Sequence, residues 1–115
     1  MERGDIIRGE DTRHPIVFLG NENEESFEGC ILTHSTNENY NNNTALQSDH
    51  FLQSDENGNS YPFQFEDTYV VGLKLIKYND WGPYELCGKL SDSGLEFIER
   101  LLDGETPILW SSYIR

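Results

Sequence analysis

The sequence predicts a mainly β fold, a small barrel of short strands with one helix near the C-terminus. Three observations predict it. Short β-branched and aromatic runs recur from the N-terminus to about residue 90, each bounded by Gly, Asn or Asp. The long run 68–77 keeps a two-residue alternation, the period of a strand. After residue 90 the apolar set changes to Leu95, Phe97, Ile98, Leu101 and Leu102, at three- and four-residue steps. Strands first and a helix last suggest a small β-barrel with an appended helix. At 115 residues the chain has the size of one domain, 1–115, without room for separate cofactor and substrate domains.

In chain order, Ile6-Ile7 opens the first strand and residues 9–12 turn it. Residues 15–19 form the second, ended by Gly20-Asn21, and 21–26 are an acidic turn. The third strand, 27–33, places Phe27, Gly29, Ile31 and Thr33 on one face, with Cys30 and Leu32 on the other. The Asn-rich stretch 36–44 reads as a loop, because Asn tolerates left-handed backbone and favours turns. A short strand is expected around His50-Phe51-Leu52, and Asn57-Gly58 marks a tight hairpin turn. Pro62 sets 61–65 at an edge or outside the ladder.

Residues 68–77 make the strongest strand, with Tyr69, Val71, Leu73 and Leu75 alternating against Val70, Gly72, Lys74 and Ile76. Residues 79–83 turn the chain into a last strand, 84–90. The helix spans 91–102, with two competing starts. Ser91 is one N-cap, and Ser93 with Glu96 is a capping box; Gly104 is the expected stop. The apolar tail 106–115 must dock on the barrel or on a second subunit, and a homodimer is expected.

The formal net charge is −13, with a pI near 4.3 and a mean hydropathy of −0.65. From His14 through Leu73 there is no Lys or Arg, against ten carboxylates. Such a surface repels nucleic acid at long range and favours solubility or a basic protein partner. Two cysteines, Cys30 and Cys87, give no zinc spacing; buried free thiols in a reducing compartment are expected, with an inter-strand disulfide as the alternative. The charged N-terminus shows no signal peptide, and no apolar run has the roughly 20 residues of a membrane span, so a cytoplasmic, membrane-free protein is expected. There is no Gly-rich phosphate loop, nucleophile elbow or zinc signature, and neither cofactor nor metal is expected. His34 and His50 are alternative metal ligands, at a spacing that fits no familiar site.

Three stretches stand in a fixed order: Gly4-Asp5-Ile6-Ile7, then His14-Pro15-Ile16-Val17, then Cys30-Ile31-Leu32-Thr33-His34-Ser35. That order resembles the opening of the MazF/PemK toxins, SH3-like barrels of type II toxin–antitoxin pairs that cut RNA. Weaker likeness continues through His50-Phe51, 65–71 and 88–92, spanning about residues 4–102. The resemblance implies an SH3-like barrel and a metal-independent endoribonuclease, with RNA as substrate and an antitoxin as partner. The family's Arg before Pro is replaced here by His14, and its strand-ending Thr or Ser is matched by Thr33. Arg13, beside His14, and Arg8 are then the cations available to replace that Arg, with Ser35 as a further substrate-binding residue.

Cleaving RNA without metal needs a base for the 2′-hydroxyl, an acid for the leaving oxygen and a donor for the charged phosphorane. His14 and His34 are the expected acid–base pair, since nearby carboxylates favour the charged imidazole. The competing expectation is a catalytically inactive barrel of the same descent whose acidic surface binds a basic protein. Under that reading His14 is a surface residue and Thr33 an ordinary strand residue. Trp81, Trp110, Tyr69 and Phe97 are expected in a core or dimer interface rather than as base-stacking platforms.

Overall fold

The structure, a computed structural model, describes residues 1–9, 14–34 and 43–113. Its spine is an antiparallel meander of β1 (Asp5–Gly9), β2 (Ile16–Asn21) and β3 (Ser26–Thr33). Asn23 builds the acidic turn between β2 and β3: its Oδ1 accepts from the backbone N–H groups of Glu25 (2.8 Å) and Ser26 (3.0 Å). Further strands are β4 (Asn43–Ala45), β5 (Phe51–Leu52), β6 (Tyr69–Val71), β7 (Leu75–Tyr78), β8 (Tyr84–Leu90) and β9 (Ile108–Leu109). The sheet order is β4-β6-β3-β2-β1-β8-β5, with β7 also on β3 and β9 parallel to β7. The fold is mainly β with few helices, and among the described residues the sheet does not close on itself.

β3 uses both edges. One pairs with β2; the other pairs with β6 through Leu32–Thr33 and with β7 through residues 26–29. The expected single strand 68–77 is therefore two strands, interrupted at Gly72-Leu73-Lys74, where Leu73 N–H donates to Val71 O (2.8 Å). Between the pairs Leu32↔Val70 and Gly29↔Leu75 the register advances by two residues. Two is the side-chain period of a strand, so the interruption leaves the facing of every residue unchanged. Val71, Leu73 and Leu75 stay together against Ile31, as the alternation predicts.

Burial follows the same alternation. One face gathers Ile6, Val17, Cys30 and Leu32 beneath Ile98 and Leu102 of the helix. The other gathers Ile7, Ile16, Phe18 and Phe27 against Tyr84, and Ile31, Val71 and Leu75 against Trp110. Cys30 and Cys87 are free and buried. Burial pushes the Cys30 thiol up to about 12.

The middle region departs from expectation. His50 ends a single 3-10 turn, Ser48–His50, and only Phe51–Leu52 form the short strand. Asn43 and Thr44, expected in the loop, belong to β4; the rest of that loop lies outside the described residues. The turn at Asn57-Gly58 forms as expected, with Asp55 Oδ1 accepting from Asn57 N–H (2.9 Å) and Asn59 N–H (3.0 Å), and Gly58 at φ +83.

The helix α1 is Asp92–Leu101. Of the two starts, Ser91 is the cap: its Oγ accepts from Gly94 N–H (3.2 Å) and donates to Asp49 O (2.6 Å). Ser93 instead turns its hydroxyl to Asp49 O (3.2 Å), so no Ser93–Glu96 box forms. Gly104 takes φ +82 just past the end. The apolar tail docks on this chain's own sheet, through β9 on β7 and a second short helix, α2 (Trp110–Tyr113), beyond the one helix expected.

Helix and sheet are brought together at one close approach. A Cβ on Gly94 would lie 2.8 Å from the His50 carbonyl carbon and 3.0 Å from its Cα. Neither is the far end of a flexible side chain. Alanine gains about 1 kcal/mol over glycine in helix propensity, but overpacking against rigid backbone costs about 1–3 kcal/mol. Gly94→Ala is therefore expected to be less stable than wild type in denaturant unfolding; equal or greater stability would show that α1 can move off His50.

Candidate functional site

The register of β2 and β3 brings two of the expected site residues together. Ile16 pairs with Ile31, and Leu32 N–H donates to Pro15 O (2.9 Å). Continuing that register sets His14 level with Thr33, both on the face that carries Ile16 and Ile31. Thr33 is buried beside Tyr69 of β6, while His14 and His34 are exposed. The His34 ring turns to the bend that precedes β6, with Nδ1 3.5 Å from Asp67 O. Asp67 holds φ 38, a left-handed conformation that Asp adopts more readily than most residues.

Arg8 does not join them. It lies opposite Glu85 of β8, two residues from Ile6 and so on the opposite face of the sheet from His14 and Thr33. Its charge acts instead on Cys87: burial raises that thiol's pKa, and Arg8 partly opposes the rise. Arg13 and Ser35 lie outside the described residues. The two histidines read as alternative metal ligands separate, His34 against Asp67 and His50 beneath α1. Among the described residues no three His, Cys, Asp or Glu side chains form a metal-sized group.

Two features lie away from the strand end, one at a residue the sequence offers only as an alternative metal ligand and one that it does not single out. The first is His50, nine-tenths buried, with its ring 4.7 Å from that of Phe97. Its Nδ1 accepts from Gln47 N–H (2.9 Å), which assigns the ring proton to Nε2. The ring lines an open groove of about 480 Å³ with Phe97 and Leu101 as apolar wall and Ser93, Glu96 and Arg100 along the rim. A second depression of about 420 Å³ on the same helix is lined by Asp92, Leu95, Glu96, Glu99, Arg100 and Asp103.

The second feature is Lys77, 3 % exposed. Its Nζ sits 3.7 Å from the centre of the Trp110 ring and 5.8 Å from that of Tyr84. Among the described residues no carboxylate pairs with it. Burial pushes the amine down to about 8.

No family model, curated protein or solved structure matches this chain. No helix among the described residues is long and apolar enough to cross a membrane.

The Lys77 geometry makes a pH prediction. Lowering the amine from 10.5 to about 8 corresponds to a burial cost on the order of 3 kcal/mol. A desolvated cation–π contact returns about 2 kcal/mol, so the charged amine is a net burden on the fold. Between pH 8 and 10.5 the unfolded chain binds more protons at this site than the folded one. The contribution of Lys77 to stability is therefore largest above 10.5 and is lost as pH falls through about 8. Lys77→Met, which keeps the aliphatic length, is expected to be about 1 kcal/mol more stable than wild type at pH 7. That advantage shrinks as pH rises toward 10.5. Comparing the two proteins cancels the contribution of the thiols, whose pKa values burial raises. An advantage that is absent at pH 7, or that grows with pH, would contradict the assignment.

Proposed function

We propose that the chain is a divergent, SH3-like barrel of the MazF/PemK kind, and that the β2–β3 end carries a metal-independent endoribonuclease site. The observation that supports this reading is the register that sets His14 level with Thr33 on one sheet face, with His34 next in the chain. An imidazole and a hydroxyl at one strand end are the groups needed to move the 2′-hydroxyl proton and to donate to the phosphorane. His34 supplies the second proton-handling ring, and Arg13, adjacent in sequence, supplies the fixed cation that the family carries at the His14 position. Under this reading the partners are RNA, an antitoxin and a second copy of the chain.

A second reading is favoured by where the cations go. Arg3 pairs with Glu99, Lys89 with Glu2 (2.9 Å) and Asp5 (3.7 Å), Arg100 with Glu96, and Lys77 is buried. Of the described side-chain cations, Arg8 and Lys74 remain outside both ion pairs and core. With a net charge of −13, such a surface suits a basic protein better than a phosphate backbone. In this reading the barrel is catalytically inactive and acts by binding.

The two are separated by one assay. Under the first, the protein cuts single-stranded RNA in the presence of a chelator, with binding that weakens as salt rises. His14→Ala then lowers the cleavage rate by about 10²-fold or more. Thr33→Val, which keeps the shape and removes the hydroxyl, lowers it as well. Intact RNA, or equal cutting by wild type and His14→Ala, would exclude a site at the β2–β3 end and leave the binding reading.

A further inference from the structure

We infer that residues 106–113 form an exchangeable strap, which covers the outer edge of β7 either in its own chain or in a second copy. Such an exchange gives the second copy a surface, whether or not the strand end cuts RNA. The docking site is occupied by the chain's own segment, so the kind of segment that fits it is shown directly. β9 runs parallel to β7 on the edge that β3 leaves open, pairing Leu75 with Ile108 and Ile76 with Leu109. Ile108 N–H donates to Lys74 O (3.0 Å). Trp110 follows, over the Lys77 amine and against the cluster of Ile31, Val71 and Leu75. All of these contacts join the strap to the sheet across the linker 102–107. A strap from a second copy would remake each of them without any new surface, the general route to a domain-swapped dimer.

Three observations make the strap separable from the rest of the fold. Its ladder is two residue pairs long, and Ile108 stays exposed, whereas β3 is paired along both edges. Segments held so lightly open at a small fraction of the global unfolding free energy. The linker is the second observation. Asp103, Gly104, Glu105 and Thr106 are exposed. Its backbone bonds run back to the end of α1, from Asp103 N–H to Arg100 O (3.3 Å) and from Glu105 N–H to Leu102 O (3.0 Å). Turning about Gly104, which holds φ +82, therefore leaves α1 on the core. Extended, residues 103–107 reach roughly 17 Å, enough to carry the strap to a neighbouring copy. The third observation is what the strap covers. Lys77 is a buried cation with no carboxylate beside it among the described residues, and lifting Trp110 returns its amine to water. Seating the strap therefore gains less than its apolar surface alone would give. The same holds in either copy. Exchange is thus neutral in contacts and is set by protein concentration and by screening of the −13 charge.

The test mixes two full-length variants, Ile76→Cys and Leu109→Cys, whose half-buried positions face each other in the β7–β9 ladder. Neighbouring strands stand about 4.8 Å apart, within the span of a disulfide. A closed chain of either variant holds one thiol of the pair, so a 76–109 bond forms only between two copies. The native thiols are buried, and peptide mapping separates any bond they make. The expected result is a covalent dimer mapped to 76–109, its initial yield rising about tenfold for each tenfold rise in protein concentration. The double variant, with both substitutions in one chain, is expected to close within itself when dilute. In wild type, amide hydrogen exchange at 108–113 is expected to be about 100-fold faster than at 27–32. Unlinked chains in the mixture, with the double variant closing on itself, would overturn the exchange. So would strap amides that exchange no faster than those of β3. If the double variant does not close, sedimentation of wild type decides. A dimer that grows with concentration and is lost in Trp110→Ser supports the exchange; a monomer throughout, or a dimer that Trp110→Ser leaves intact, overturns it. RNA is in none of these mixtures, so a negative result leaves the reading of the strand end as it stands.

Discussion

The structure depends on a single strand having both of its edges occupied. β3 takes β2 along one side, and β6 then β7 along the other. Its backbone hydrogen bonds are thereby answered by protein on both sides, which places it in the middle of the sheet. A central strand must be apolar on both faces, and β3 is: Cys30 and Leu32 face the helix, while Phe27 and Ile31 face the aromatic side. Gly29 marks a close crossing, where a Cβ would stand 2.8 Å from both Ile16 Cγ2 and Val17 O. The last residue of this strand is Thr33, so the position of the candidate site follows from the strand at the centre of the sheet.

What the sequence makes legible is whatever depends on local period. The two faces of β3 follow from the alternation of Phe27, Gly29, Ile31 and Thr33 with Cys30 and Leu32. The extent of β8 and the apolar stripe of α1 follow in the same way. Features that depend on a distant partner are not legible. Ser91 and Ser93 are equivalent as caps until Asp49 O is placed beside both hydroxyls. The break at Gly72–Lys74 is hidden because the alternation continues through it. Lys77 reads as an ordinary strand residue, since its aromatic cover arrives with Trp110, far along the chain. At the candidate site, the level placement of His14 and Thr33 needs the β2–β3 register, and the exclusion of Arg8 follows from its sharing a face with Ile6.

The two proposed functions draw on different ranges of the same electrostatics. Repulsion of RNA by the acidic surface acts over distance and is cut off beyond about 8 Å at physiological salt. Chemistry at His14 and Thr33 acts at hydrogen-bond range and is not decided by net charge.

The interruption between β6 and β7 also bears on how such a chain can change length over generations. The inserted pair of residues is tolerated because every side chain downstream keeps its side of the sheet. Losing one residue at Gly72–Lys74 would turn Leu75 and Lys77 outward and bring Ile76 and Tyr78 into their places, exchanging the whole lining of the aromatic side. Losing two would merge the strands and preserve it. Relatives of this chain should therefore differ here by even numbers of residues, and an odd difference should come with a compensating bulge nearby.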